Sequence, residues 1–359
     1  MTKIFFTPIQ AGKMLLANRM VMAPLTRSRA TIDGIPTPMM AEYYGQRAGA
    51  GLIISEATNI SRQGTGYPYT PGIYNSEQIS KWKDVTDAVH EAGGKIFMQL
   101  WHVGRHSHPY YQEGGAAPVS ASAVKEDGSI KTPEGVKETV MPRSLESDEI
   151  KDIVKDYGQA AANAIEAGFD GVEIHGANGY LIDQFIQDGT NKREDEYGGS
   201  IENRSRFLFE VLEEVINRIS NERTALRLSP SGITLNVSDT DPVKSFSRII
   251  DRLNEYALAY LHIMEPFIDV SHLPHYLQDR EVTPFFRRIY KGTLVTNGKF
   301  DGISGEAALQ KGDADLIAIG KPFISNPDLV EKYKKGTPIT PWDTNTFYTQ
   351  GEEGYVDYE

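Results

Sequence analysis

Three side chains near the end of one apolar run could act together on a small molecule. In GVEIHGANGYLIDQF (171–185), His175, Asn178 and Tyr180 fall within six residues, spaced by Gly176, Ala177 and Gly179. An imidazole and a carboxamide can both donate hydrogen bonds to one acceptor oxygen. A phenol, with an ordinary pKa of ~10, is protonated at neutral pH and can serve as a general acid. The competing reading is a turn that only hydrogen-bonds to itself.

Charged groups form a second set. Arg227 sits in TALRL (224–228), a run that is otherwise apolar but for Thr224. A guanidinium cannot shed its proton there, so it needs a carboxylate, carbonyls or an anionic ligand; an ion pair inside the protein is the structural alternative. TNGKF and IGKPF each set a glycine beside a lysine, Gly298–Lys299 and Gly320–Lys321. Glycine lets backbone N–H groups approach a phosphate and lysine adds charge. HVGRHSH (102–108) offers three histidines but no accompanying carboxylate or regular element, so it reads as hydrogen-bonded loop histidines rather than a metal site. Tyr67, Trp101, Phe267 and Tyr348 are aromatic candidates for a pocket wall, with core or rim packing as the alternative.

The elements that must position these groups alternate. Short apolar runs lie at 19–24, 51–56, 95–100, 171–175, 224–228, 260–264, 293–297 and 315–320. Most lack polar alternation, as expected of parallel strands covered on both faces. Helical spacing appears at 147–167, with Ser147 as the expected cap and Gly168 just past the end, and at 201–219 after Ser200. Weaker helical patterns fit 76–92, 242–257, 303–311 and 326–335. Eight strands alternating with helices predict an α/β fold, a (β/α)8 TIM barrel forming one domain over 1–359. The main interruption, 102–146, is rich in Gly, Pro and Ser. Its KEDGSIKTPEG predicts a hairpin or lid inserted after the third strand.

Such barrels work at the C-terminal ends of their strands. That rule collects Pro24, Leu25 and Thr26 from the first strand, Glu56 and Ala57 from the second, and Gln99, Leu100, Trp101 and His102 from the third. His175, Arg227 and the two Gly-Lys pairs come from later ones. The ends of strands seven and eight are also where barrels of this class hold phosphate.

Composition bounds the partners. The chain has 359 residues, 40% hydrophobic and 24% charged, with net charge -12 and no basic stripe, which argues against nucleic acid. No cysteine is present, which removes disulfides, thiolate metal sites and a cysteine nucleophile. No signal-peptide core and no run approaching the ~20 apolar residues of a membrane span is seen, so a cytoplasmic protein is expected; a monomer or homodimer is the expected assembly, a choice the sequence itself does not make.

Taken together the residues resemble the Old Yellow Enzyme family of FMN-dependent ene-reductases, in its classical branch. The resemblance runs from FTPIQAGKMLLANRMVMAPLTRSRA through QLWHVGR, GGAAPVSASA, GFDGVEIHGANGYLIDQFIQDGTNKREDEYGGSIENRSRF and FISNPDL to FYTQGEEGYVDY. It implies a tightly bound, non-covalent FMN lined by Pro24, Leu25, Thr26, Ala57 and Gln99. Arg227 would lie beside the edge where negative charge gathers on reduction, and Gly298, Lys299, Gly320 and Lys321 at the phosphate. It implies that His175 and Asn178 hold the oxygen of an activated alkene: an enone, a maleimide or a nitroalkene. Hydride then passes from flavin N5 to the β-carbon, and Tyr180 protonates the α-carbon. Tyr67, Trp101, Phe267 and Tyr348 would shape the pocket. NAD(P)H would be a transient co-substrate that leaves before the alkene binds, a ping-pong scheme needing no resident dinucleotide fold. Lys321 stands where the family usually has Arg, and so offers a point charge instead of a fork. Thr26 stands where another branch has Cys.

Two rival readings remain at this level. A barrel aldolase, isomerase or lyase would need an activated lysine or a carboxylate pair, with Glu56 and Glu173 as candidates. A non-catalytic flavin store or redox sensor would bind FMN without turnover.

Overall fold

The computed structural model describes residues 3–232 and 234–358. Eight parallel strands close into a barrel: β1 (Met20–Met22), β2 (Leu52–Asn59), β3 (Ile96–Trp101), β4 (Gly171–Gly176), β5 (Thr224–Leu228), β6 (Tyr260–Met264), β7 (Leu294–Asn297) and β8 (Leu316–Ile319). Each falls on one of the eight apolar runs. Helices on the outside cover the second face of every strand, which is why the runs show little polar alternation.

The inside of the barrel is layered. Phe97, Ala225, Tyr260 and Val295 belong to one interior apolar cluster with Val21, Ile54, Leu316 and Ala318. Two residues further along each of four strands, on the same face, stand Gln99, Arg227, His262 and Asn297. Glu173 pairs in register with Gln99, and His175 with Arg227. So an apolar lower barrel carries a polar layer at the C-terminal ends of its strands. In β2 the pairing with β3 slips between Ile54 and Ala57. That bulge advances the strand so that Ala57 sits opposite Gln99.

An N-terminal hairpin, Ile9–Ala11 with Met14–Leu16, closes the lower end. Ala11, Met14 and Leu16 join the interior cluster. The turn at Gly12 has φ 54°, and a Cβ there would lie 2.1 Å from the Glu222 carbonyl oxygen, so only glycine fits. The alternation of strands and helices gave no hint of this hairpin.

The inserted segment after β3 does carry a hairpin, Ser129–Thr132 with Gly135–Glu138. At the other end of the chain, Arg27 and Arg29, just past β1, donate to the carbonyls of Thr346, Phe347 and Gly354 and tie the C-terminal segment down. Lys131 of the inserted hairpin then sits 5.3 Å over the Tyr348 ring of that segment.

Several helix boundaries differ from the sequence expectation. Ser147 is the first helical residue of Ser147–Glu166, not its cap: Glu146 accepts from the Glu149 backbone while the Glu149 carboxylate accepts from Glu146 N–H, a reciprocal cap that Arg143 clamps. The 201–219 pattern breaks at Ser205 into Ile201–Arg204 and Arg206–Ile219. The 242–257 helix stops at Leu253, 326–335 begins only at Leu329 and runs to Lys335, and a separate short helix, Lys321–Ser325, precedes it. Pro38–Gln46 and Val282–Arg287 are helices that the spacing did not predict. Among the described residues no helix is long and apolar enough to cross a membrane.

Candidate active site

The His175–Tyr180 turn is made at Asn178 (φ 60°) and Gly179 (φ 79°), not at Gly176, which still belongs to β4. Asparagine tolerates that backbone, and at Gly179 a Cβ would meet the Thr234 carbonyl at 2.5 Å. The turn is held from below. Gly179 N–H donates to Asp183 (2.8 Å), Gln184 donates to Gly179 O (2.8 Å), and Asn178 N–H donates to Ser229 Oγ (2.8 Å). None of these three bonds uses the side chain of His175, Asn178 or Tyr180. Asn178 Oδ1 is buried without a partner.

His175 is buried, and its Nδ1 accepts from Ala177 N–H at 3.3 Å. The ring proton therefore belongs on Nε2, which is left as a donor. Burial, reinforced by Arg227 and His262, holds the imidazole well below its ordinary pKa, so it is neutral. Tyr180 lies edge-on to His175 (centroids 5.1 Å apart) and to Trp101 (4.9 Å). Its hydroxyl is 3.1 Å from that of Tyr67, and Tyr67 stacks on Trp101. Burial pushes the Tyr180 phenol up to about 12, the bond to Tyr67 acting in the opposite sense. Phe267 and Tyr348 are largely exposed, at 47% and 58%. Phe267 lines a small recess with Ser229, and the Tyr348 phenol is close enough to raise the pKa values of Tyr67 and Tyr180. The first of these rings borders the Asn178 side, the second the tyrosine side.

Deeper in the mouth lies a polar network. Gln99 Nε2 donates to Glu173 (2.7 Å) and His262 Nδ1 donates to the other carboxylate oxygen (2.9 Å). Burial alone would raise Glu173, but His262 and Arg227 outweigh it and hold the carboxyl below its usual range, while burial keeps His262 neutral. Arg227, 6% exposed, makes one long bond, Nη2 to Asn297 Oδ1 at 3.3 Å, and its Nε is buried with no partner. Among the described residues it enters no ion pair at 4.0 Å or less. A permanently charged group so poorly matched marks a place for an anion or a polarisable ring edge.

The remaining candidates ring this spot. Pro24, Leu25 and Thr26 are half-buried between buried Ala23 and Arg27. Ala57 and Gln99 are paired neighbours. At the phosphate candidates, Gly298 has φ 140° and its Cβ would strike Glu265 at 2.5 Å, while Lys299 is itself in the left-handed region (φ 52°) and exposed. Gly320 has only Leu25 and Ala23 side chains within 4 Å of a built Cβ, and Lys321 opens the short helix beyond it, exposed. The donor set suits a flat, electron-poor ring with an anionic tail: an amide, a lone guanidinium and two glycine-lysine turns at neighbouring strand ends.

The loop histidines do not converge. His102 accepts from Gly104 N–H and is depressed to about 3 by burial, His106 pairs with buried Glu126 (2.8 Å), and His108 accepts from Tyr110 N–H. Glu56 is bound by the Tyr44 hydroxyl (3.2 Å), and Glu173 is bound as described above, so the two carboxylates do not form a pair. Two residues that pattern reading passed over, His262 and Asn297, lie inside runs that read as plain apolar strands. A polar residue recurring at the same inward register on adjacent strands was the available signal.

Comparison with known proteins places this geometry. Residues 4–339 match the model of the NADH:flavin oxidoreductase / NADH oxidase family. The chain is 46% identical to 12-oxophytodienoate reductase 7 of Oryza sativa subsp. japonica, over 98% of this chain and 93% of that protein. It is also similar to the old yellow enzyme homologue from Zymomonas mobilis (TM-score 0.94, 46% identity, 99% of both chains). A further match is morphinone reductase in complex with tetrahydroNAD (TM-score 0.93, 45% identity, 99% and 97%).

Proposed function

Because this chain belongs to the NADH:flavin oxidoreductase / NADH oxidase family, as a member of its Old Yellow Enzyme group, we propose that it is an FMN-dependent ene-reductase. Its substrates are α,β-unsaturated carbonyls, maleimides and nitroalkenes, and NAD(P)H is the transient co-substrate. The single observation that carries the cofactor reading is Arg227, a buried guanidinium with one long hydrogen bond and no paired carboxylate among the described residues.

When bound, FMN would supply the hydride chemistry between NAD(P)H and the alkene β-carbon. Pro24, Leu25, Thr26, Ala57 and Gln99 would line the ring, with Arg227 placed to meet negative charge on it. Gly298, Lys299, Gly320 and Lys321 hold the phosphate, Lys321 as a point charge.

His175 donates from Nε2 to the substrate oxygen, and Asn178 donates from its amide. Both withdraw density from the double bond and fix its carbons over the ring. Tyr180 then gives its proton to the α-carbon. The balance is one NAD(P)H and one proton consumed per C=C bond, with the oxygen group unchanged. Tyr67, Trp101, Phe267 and Tyr348 shape the approach. The absence of a dinucleotide-binding motif fits a nicotinamide that visits the same mouth. We read the protein as cytoplasmic, with its site in a single domain.

The test of the whole reading is anaerobic. Purified protein is expected to be yellow, to bleach with NADPH or NADH, and to regain colour with cyclohexenone, a maleimide or a nitroalkene. Colourless protein that takes up no FMN defeats it; yellow protein that reoxidises with none of these compounds leaves a flavin store.

The oxygen clamp has its own test. His175→Ala combined with Asn178→Ala removes both donors, each neutral hydrogen bond being worth ~0.5–1.5 kcal/mol. Phenol binding over the oxidised flavin, read by its absorbance change, is expected to weaken about 10- to 100-fold. In the wild type that binding shows no step near pH 6.5, since His175 is depressed well below it and stays neutral as pH rises. Unchanged affinity in the double variant removes the clamp.

A further inference from the structure

The proposed roles leave Glu173 and His262 without a task, although they are the most buried ionisable pair at the mouth, both 0% exposed. They sit directly behind two proposed flavin contacts. Glu173 accepts from Gln99 through one oxygen and from His262 through the other, and Arg227 is the β5 register partner of His175, which lies two residues beyond Glu173 on β4. Tyr260, on β6, is a further ionisable group that Glu173 acts on.

An ionised carboxylate can only accept. Gln99 must therefore turn Nε2 toward Glu173, which leaves Oε1 as its outward group, and among the described residues no hydrogen bond engages that oxygen. Without the carboxylate a carboxamide has two orientations of similar energy, one presenting an acceptor and one a donor. His262 fixes the carboxylate in turn, since its neutral ring donates from Nδ1.

Resting on the FMN reading above, we propose that Glu173, fixed by His262, is a positioning residue for the flavin. It forces Gln99 to present its carbonyl to the imide N3–H, and its negative charge partly offsets Arg227 and so lowers the reduction potential of the bound ring.

The sign follows from charge alone. Reduction adds negative charge beside Arg227, and a carboxylate behind the same guanidinium opposes that. Glu173→Gln keeps shape and removes the charge, so the variant holds reduced FMN more tightly relative to oxidised FMN. A shift of about tenfold in that ratio is expected, which for a two-electron couple raises the midpoint by about 30 mV. The same variant lets Gln99 rotate.

Two measurements on the purified holoprotein and its reconstituted apoprotein decide it. The first is the midpoint potential of wild type and Glu173→Gln, by equilibration with a reference dye. The second is the affinity of wild-type apoprotein for FMN and for N3-methyl-FMN, which lacks the imide donor. The inference expects a higher potential in the variant and at least tenfold weaker binding of the methylated flavin, a gap that narrows in Glu173→Gln. A merely structural carboxylate would change the melting temperature without moving the potential. An unchanged or lowered potential overturns the charge role. Equal wild-type affinity for both flavins overturns the orientation role, whether or not the variant folds. Wild-type protein that binds neither flavin overturns the FMN reading, and this inference with it; wild type that binds FMN while the variant keeps its potential overturns this inference alone.

Discussion

Replacing Tyr180 by Phe is expected to slow alkene reduction by roughly 10²- to 10⁴-fold, the usual weight of a positioned general acid, while reduction of the flavin by NAD(P)H stays near wild type. The variant is a clean one. A phenyl ring at this position can keep the edge-on contacts to His175 and Trp101, and only the 3.1 Å hydroxyl contact with Tyr67 is lost. Stopped-flow measurement of the two half-reactions separates them. Equal rates of cyclohexenone reduction in the two proteins would remove Tyr180 as the acid. The pH profile adds a second check. The folded-state pKa is raised from 10 to about 12, so the protonated donor prevails below that value and is lost only as pH rises through it. The alkene step in the wild type should therefore show no Tyr180 limb between about pH 6 and 10, a range that ends below the raised pKa.

Arg227→Met should separate two properties. The guanidinium is buried, bonded once at 3.3 Å, and carries an unpartnered Nε. Its desolvation is only partly repaid, since Glu173 supports its charge without a direct ion pair. An apolar side chain of similar length removes that cost but also the charge that helps hold the buried Glu173 carboxyl low, so the apoprotein is expected to change little in stability. Glu173 keeps its bonds from Gln99 and His262. Binding of reduced FMN, by contrast, should weaken by about 10²- to 10³-fold, the loss seen when a preorganised donor to developing charge is removed. Thermal melting of the apoprotein and reductive titration of the reconstituted protein report the two. A large drop in apoprotein melting temperature would mean that the arginine is structural. Stability given up at a site that needs an awkward charge is the common trade in enzymes.

Much of the architecture was legible in the chain. All eight barrel strands lie where short apolar runs alternate with helical patterns, because a strand covered on both faces has no polar side to show. The inserted hairpin announced itself through KEDGSIKTPEG. The N-terminal hairpin did not: its residues are ordinary, and its purpose is visible only against Ala259 and Glu222, more than 200 positions away. The cap at Glu146 is masked in the sequence because Ser147, a better-known capping type, stands next to it; the bond from Arg143 decides the matter. At the site, His175, Asn178, Tyr180 and Arg227 were conspicuous as polar groups in apolar or glycine-rich surroundings. His262 and Asn297 were not, since a single polar residue in YLHIM or TLVTN reads as noise until neighbouring strands are set side by side. Their partners lie on other strands, and register across a parallel sheet is not written in either strand alone.

The floor beneath the barrel has a consequence for traffic. With Ala11, Met14 and Leu16 sealed into the lower cluster, nothing leaves by the back. On the function proposed above, the electron donor and the electron acceptor would then share one doorway. Each visitor would then obstruct the other, and an excess of either is expected to turn from fuel into brake.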